Sequence, residues 1–379
     1  MNRLAILSTN DSPHLGGSEE LWLRCADHLR RTGTHVAVSL SPRVRGSRAL
    51  DRLARAADGV HFRETNTPAS LAGRVAGRFR SPELDRWLVR SRPGFALISQ
   101  GDYLQGWRAA QSCARVGVPY ALLVQAASDH FGPDPDTFHP LREAYRNAAA
   151  VYFVSRANLR VTERRLALAL PSAQVVRNPF NVSYTAAPAW PAAGPWRMAC
   201  VARLDAFAKG LDLLFECLRS PVWRDRDLTV HLYGSGPHRE ALAELKRRWQ
   251  LDQVRFEGET PDIEGVWRDH HLLVLPSRQE GLPLALVEAA LCARPAVVTD
   301  VAGNAEVVDD PLTGFIAKAP TVACLGEALE RAWQRRADWH ALGQAAADRI
   351  RRIVPADPGL DFAREIARAA GWRSGDAAD

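Results

Sequence analysis

Lysine is almost missing from this chain: of its 49 basic residues, only Lys209, Lys246 and Lys318 are not arginine. Sulfur is also sparse, with two methionines and six cysteines in 379 residues. No two cysteines form a CxxC pair. Cys25, Cys113, Cys200, Cys217, Cys292 and Cys324 fall mostly in apolar stretches and read as small core residues, not as redox or metal centres. No run of 18 apolar residues exists, which excludes a membrane-spanning helix. The apolar run behind Met1 breaks at Thr9-Asn10-Asp11, too early for a secretory leader. A cytoplasmic protein is therefore expected. The chain also lacks a long basic run and any recognisable nucleic-acid module, so nucleic acid is not an expected partner.

What is present is an ordinary globular composition, 46% apolar and 24% charged, which excludes a disordered or collagen-like chain. The length suits two or three domains. A net charge of +6 and a pI near 9.2 leave nucleotide phosphates or an anionic membrane surface as possible anionic partners.

Short apolar runs alternate with helical patterns along the whole chain. Leu4–Ser8, Val36–Leu40, Phe95–Ser99, Tyr120–Gln125, Val151–Val154 and Val175–Val176 read as buried strands. Ser18 reads as an N-cap, with Glu19 and Glu20 in the first turn and Leu21, Cys25 and Leu29 at helical spacing. Residues 41–92 are Arg-rich and weakly patterned, with helix expected around 68–91. Residues 181–196, rich in Ala, Pro and Gly, read as a linker. Beyond it Arg197–Ala202, Leu228–Tyr233, Val254–Glu257, Leu272–Leu275 and Ala296–Thr299 read as strands. Helices are expected from near Lys209, Pro237, Asp262, Leu282 and Val322. The pattern predicts an α/β protein of two doubly wound Rossmann-like domains facing a cleft. The first spans 1–185 and the second 186–355. A C-terminal helix in 356–379 is expected to pack back on the first domain.

Four segments of the second half carry candidate chemistry. Arg203 and Lys209-Gly210 bracket a loop where two cations and helix amides make an anion seat; two solvated surface cations are the alternative. Gly234-Ser235-Gly236 follows a strand and permits close backbone approach, to a ligand or simply within a tight turn. It lacks the third glycine of a dinucleotide fingerprint, which argues against a NAD-dependent dehydrogenase. Glu280 and Gly281 sit in a loop, with Leu282, Pro283 and Leu284 opening a helix whose first amides bind oxygen atoms. Glu288 lies among apolar helix residues, where a carboxylate is costly unless paired; ligand hydroxyls or a structural salt bridge would serve. Gly303-Asn304-Ala305-Glu306 offers amides and a carboxylate, or a plain helix start. Asp134-Pro135-Asp136 and His270-His271 are weak metal candidates.

Together these segments resemble the retaining glycosyltransferases of family 4, which have the GT-B fold. V-A-R-L-D…K-G, Y-G-S-G-P, P-S…E-G-L-P-L-A-L-V-E-A and G-N-A-E-V-V occur in family order over 197–318. The resemblance implies catalytic roles for Arg203, Lys209 and Glu280, with the two cations on the donor diphosphate and Glu280 and the amides after it on the donor sugar. It implies that Glu288 binds the ribose, that Gly234 and Glu306 lie at the donor, and that Gly16-Gly17 meets the donor phosphates. Where the family often has a histidine touching the donor sugar, this chain has Gln125, which cannot shuttle a proton. Asp129 or His130 then takes part, or no base is needed, or activity is lost. The implied activity is transfer from a nucleoside-diphosphate sugar, UDP favoured over GDP, to a saccharide or lipid-linked acceptor. It would use no metal or cofactor and would work in polysaccharide synthesis, with peripheral contact to the inner membrane face open. A nucleotide-sugar 2-epimerase and a non-catalytic sugar-nucleotide binder are the competing classes.

Overall fold

Parallel pairing runs through both sheets of the computed structural model, which describes residues 1–11, 16–44, 49–63, 82–129, 132–192 and 194–372. The chain divides into two units, residues 1–179 with 357–379, and residues 180–356. The first unit holds β1 (Arg3–Ser8), β2 (His35–Leu40), β3 (Gly59–Phe62), β4 (Phe95–Gln100), β5 (Tyr120–Val124), β6 (Ala150–Phe153) and β7 (Gln174–Val175). Their order is β3-β2-β1-β4-β5-β6-β7, so direction along the sheet reverses between β1 and β4. Leu4 stands opposite Val36 on one side and Phe95 on the other.

Why these apolar runs become strands shows in their alternation. Leu4, Ile6, Leu97 and Leu123 point into one core, and Ala5, Leu7, Ile98 and Leu122 into the other. Each of these central strands thus removes both of its faces from water, as a parallel sheet requires. The first of these cores is closed by Leu21, Cys25 and Leu29 of the Gly17–Arg31 helix and by Phe362, Ala363 and Ile366 of the Pro358–Ala369 helix. The two helices approach closely. A β-carbon on Gly359 would lie 2.5 Å from that of Arg24, so only glycine fits the crossing.

The second unit holds β8 (Trp196–Val201), β9 (Leu228–Tyr233), β10 (Val254–Gly258), β11 (Leu272–Leu275), β12 (Ala296–Thr299) and β13 (Gly314–Ala317), in the order β10-β9-β8-β11-β12-β13. The reversal falls between β8 and β11. Strands β11 and β12 are buried throughout, whereas β9 alternates buried and half-buried residues toward the sheet edge.

Several boundaries differ from the sequence reading. The N-cap of the Gly17–Arg31 helix is Gly16, not Ser18: the Glu19 carboxylate reaches back to the Gly16 amide at 2.8 Å and stabilises the earlier start. Strands β3 and β13 and the Ala49–Ala56 helix were not read from sequence. Part of the helix expected around 68–91 is seen as Pro82–Ser91, and residues 64–81 lie outside the described residues. Residues 181–192 are irregular, as their composition implies, but they are fastened within the second unit. Ser183 donates its amide to Glu264, Arg351 donates to the Tyr184 and Ala186 carbonyls, and buried Arg294 donates to the Ala189 carbonyl. Five cysteines are buried and Cys324 is half-buried. Among the described residues no helix is long and apolar enough to cross a membrane.

His270 and His271 enter β11 from the core. His270 Nδ1 lies 2.7 Å from the Val266 carbonyl, and His271 Nδ1 accepts the Arg197 amide at 3.1 Å. Burial lowers both to about 4 from 6.5. The native state therefore keeps them neutral where the unfolded chain takes up protons, so stability falls as pH drops from about 6.5 toward 4. The slope is at most about 1.4 kcal/mol per pH unit per histidine. Urea midpoints of the second unit's transition should fall between pH 7 and pH 5. His271→Phe keeps a ring against Trp190 and Trp196 and should make that dependence shallower; an unchanged slope would contradict the assignment.

Candidate functional site

In an open parallel sheet, polar side chains collect beyond the carboxyl ends of the strands, where the order reverses. The second unit follows this rule. Most of its candidate residues lie between the ends of β8, β11 and β12 and the helices that follow them.

After β8 the chain leaves the sheet at Val201, two residues before Arg203. Asp205 then caps a one-turn helix, Ala206–Lys209, through the Ala208 amide at 3.1 Å. Lys209 closes this turn, immediately before the helix expected to begin near it. Gly210 is at once its left-handed C-cap, φ +62°, and the N-cap of the Leu211–Leu218 helix. A β-carbon there would lie 2.0 Å from the Pro276 carbonyl oxygen. The glycine thus lets the β8 loop lie against the β11 loop. The Ala208 carbonyl completes the fit by accepting the amides of Arg278 and Gln279 at 2.9 and 3.1 Å.

That seam places Lys209 on Glu280. Its ammonium donates to Glu280 Oε1 at 2.7 Å, and Ser277 Oγ donates to the same oxygen at 2.7 Å. Glu280 is buried, so the pair is well shielded from solvent. The chain of contacts continues. Thr299 at the end of β12 donates to the Ser277 carbonyl at 2.6 Å, and Asn304 Nδ2 donates to the Thr299 carbonyl at 3.0 Å. The Gly303 amide donates to the Gly281 carbonyl at 2.9 Å. Arg203, by contrast, is mostly exposed and bonds Asp205 at 2.9 Å. One held cation and one solvent-facing cation therefore flank the loop.

The remaining candidates divide. Pro283 is the N-cap of the Leu284–Leu291 helix, not a residue of its first turn, and the first amides of that helix, beginning at Leu284, lack intrahelical acceptors. Leu282 is buried behind them. Glu288 is buried as expected, and its Oε1 accepts the backbone and side-chain amides of Asn181 at 2.9 and 3.0 Å. The closeness that Gly234 allows is to the protein itself, since a β-carbon would lie 2.1 Å from the Ala202 carbonyl oxygen. Glu306 lies in the Asn304–Val307 turn, half-buried, and its carbonyl accepts from Arg349. Sequence reasoning missed Asn181, Ser277, Thr299 and Asn304. The polar residues flanking the ends of β11 and β12 were the only available signal.

In the first unit the reversal point is bridged by Thr9 after β1, which donates to Gln105 after β4 at 2.7 Å. Gly16 and Gly17 begin the helix beside it. Their neighbour Glu19 is buried, accepts Asn10 Nδ2 at 2.8 Å and Ser18 Oγ at 2.7 Å, and has its pKa raised by burial. Gln125 stands one residue beyond β5, not within it, and is buried against Asn178. Asp129 is half-exposed and ion-paired with Arg164 and Arg165. His130 lies outside the described residues. Asp134 and Asp136 open the Pro135–Arg146 helix, Asp134 as its N-cap. Among the described residues no group of three His, Cys, Asp or Glu is placed to hold a metal ion.

Residues 196–335 match the family Glycosyl transferases group 1. One subunit of the human phosphatidylinositol N-acetylglucosaminyltransferase is 37% identical over 135 residues, which cover 35% of this chain and 27% of the relative. The D-inositol 3-phosphate glycosyltransferase of Kribbella flavida is 32% identical over 165 residues, 40% of this chain and 38% of the relative. The matched stretches thus span between about a quarter and two fifths of these relatives. Among solved structures, Anabaena HepE in complex with UDP superposes with a TM-score of 0.75 at 17% identity, covering 97% of this chain and all of the other. The likeness of the whole chain is one of fold. The second unit therefore carries a stretch similar to group 1 glycosyl transferases, on a chain whose two Rossmann-like units have the GT-B fold.

Proposed function

We propose that this chain is a retaining glycosyltransferase of family 4 that takes a nucleoside-diphosphate sugar as donor. The observation that carries the reading is the Lys209–Glu280 contact at the strand-order reversal of the second unit. A chain with three lysines places one of them on a buried carboxylate, beside an exposed arginine and the first amides of the Leu284–Leu291 helix. Cations and helix amides suit a diphosphate. Carboxylates suit sugar and ribose hydroxyls, because they only accept.

In this reading Arg203 and Lys209 stabilise the charge that gathers on the departing diphosphate. Preorganised charge of this kind is usually the largest single catalytic contribution. Glu280 holds the donor sugar with the amides that follow it, and Glu288 reaches the ribose. The leaving diphosphate accepts the acceptor hydroxyl's proton on the face it departs from, so the sugar's configuration is retained without a protein nucleophile. No divalent metal is required because the two cations do its work. A saccharide or lipid-linked acceptor fits the names of the relatives, and the chain's positive balance suits work beside an anionic membrane.

Calorimetry with UDP-glucose, UDP-N-acetylglucosamine and GDP-mannose tests the donor class directly; the UDP-sugars should bind more tightly. Arg203→Ala and Lys209→Ala should each lower turnover about 10²-fold, the scale of one lost transition-state contact. Activity should survive a chelator. Loss on chelation, with recovery on adding magnesium or manganese, would overturn the metal-independent reading. Glu288→Gln keeps an oxygen to accept from Asn181, so the fold should persist while UDP-sugar affinity weakens by about 1–3 kcal/mol. Unchanged affinity would confine Glu288 to holding Asn181.

A further inference from the structure

At the amino ends of β9 and β10 the second unit holds a cleft of about 710 Å³, lined by Arg224, Lys246, Arg247, Gln250, Asp252 and Gln253. Its size falls within the ordinary range of small-molecule sites, roughly 300–1,000 Å³. The strands of this sheet run parallel, so the cleft and the Lys209–Glu280 pair lie at opposite ends of it.

Three cations gather there with one carboxylate. The Arg239–Arg248 helix ends at this point, and basic residues in a last turn commonly serve the helix's own free carbonyls. Here those carbonyls are already taken. The Trp249 amide donates to the Leu245 carbonyl at 3.0 Å, the Gln250 amide to the Arg247 carbonyl at 3.2 Å, and the Leu251 amide to the Lys246 carbonyl at 3.1 Å. Arg224 supplies the Trp249 carbonyl at 2.6 Å. Arg247 pairs with Glu244, one turn back. The Lys246 ammonium and the Asp252 carboxylate enter no ion pair among the described residues. This helix closure holds Gln250 in the left-handed region, at φ +51°, where glycine is the usual residue and a side chain is disfavoured. The residue kept there is a glutamine that lines the cleft.

The lining selects a ligand class. Three cations against one carboxylate call for an anion, and arginine and lysine donors suit a phosphate. None of the described lining residues is aromatic, so a nucleobase has no ring to stack on. Asp252 only accepts, which repels a bare polyphosphate and suits hydroxyl groups. Gln253 gives its Nε2 to the Leu218 carbonyl at 3.1 Å and keeps its oxygen for another donor. We propose that this cleft is a second ligand site that binds a phosphorylated polyol. Arg224, Lys246 and Arg247 hold the phosphate, and Asp252, Gln250 and Gln253 meet the hydroxyls.

Free sugar phosphates and phosphorylated lipid headgroups share this chemistry, and two arms separate them. In the first, calorimetry on the full chain compares glucose 6-phosphate with inorganic phosphate. In the second, the chain is sedimented with phosphatidylcholine vesicles carrying phosphatidylinositol 4-phosphate, or phosphatidylglycerol at equal charge. A free ligand predicts that glucose 6-phosphate binds at least about tenfold more tightly than inorganic phosphate; a headgroup predicts retention by the phosphoinositide vesicles alone. In either case Lys246→Ala should weaken binding at least about tenfold, the scale of one lost charge-assisted bond, while Lys209→Ala leaves it within about twofold. Asp252→Asn should narrow the preference for glucose 6-phosphate over inorganic phosphate, since the repelling carboxylate is gone. Affinity unchanged in Lys246→Ala overturns the site, and loss in Lys209→Ala places the ligand at the carboxyl ends instead. Equal affinity for the two phosphates together with equal retention by the two vesicles overturns the polyol class. Binding in neither arm overturns the proposal outright.

Discussion

A parallel strand buried on both faces has nowhere to put polar chemistry except its ends. The central strands of both sheets are of that kind, and the rest of the molecule follows from it. Leu4 through Leu7 send alternate side chains into opposite cores, and Leu272 through Leu275 are buried throughout, so no position along them is available to a ligand. Polar residues accumulate at the carboxyl ends, and most densely where the strand order reverses, because loops from neighbouring strands there turn to opposite faces and leave a gap between them. Lys209 after β8 and Glu280 after β11 occupy that gap in the second unit, and Thr9 and Gln105 occupy it in the first.

What fixes the second-unit site is backbone proximity before charge. Gly210 lets the β8 loop lie against the Pro276 carbonyl, and Ala208 locks the two loops by two amide bonds. Only after that seam forms does Lys209 reach Glu280. Ser277, Thr299 and Asn304 then tie the ends of β11 and β12 into the same framework. Groups held in this way lose little freedom when a ligand arrives, which is the physical content of preorganisation. The mobility of a long lysine side chain has already been given up to a carboxylate on the adjacent loop.

Buried polar groups in the two units show different states of satisfaction. Glu288 has its partner in Asn181 and Glu19 in Asn10 and Ser18, so both carboxylates are held by short donors from their own unit. Arg294 bonds three carbonyls, and burial lowers its pKa to about 10. Its role is to hold the irregular residues around Ala189 on the second unit. The amides of Gln125, Asn178, Gln100 and Asn304 are each engaged on one half and unmatched on the other among the described residues.

Local sequence was enough for the strands, because an apolar run of four to six residues bounded by Gly, Asn or Pro has few other uses. Leu228–Tyr233, Leu272–Leu275 and Ala296–Thr299 were legible to the residue. Arg203, Lys209, Glu280 and Glu288 stood out as charges in or beside such runs, and the two-sheet fold followed from the alternation of strand and helix. The edge strands β3 and β13 were not seen. Tertiary structure alone decided who meets whom. Lys209 pairs with Glu280, Glu288 is met by Asn181, Gly234 gives way to Ala202, and Asn178 turns the Gln125 amide, and every one of these contacts joins residues far apart in the chain. Periodicity reports only which face a residue takes. Contacts at such separations depend on which strands become neighbours, and that is set by the packing of the whole sheet.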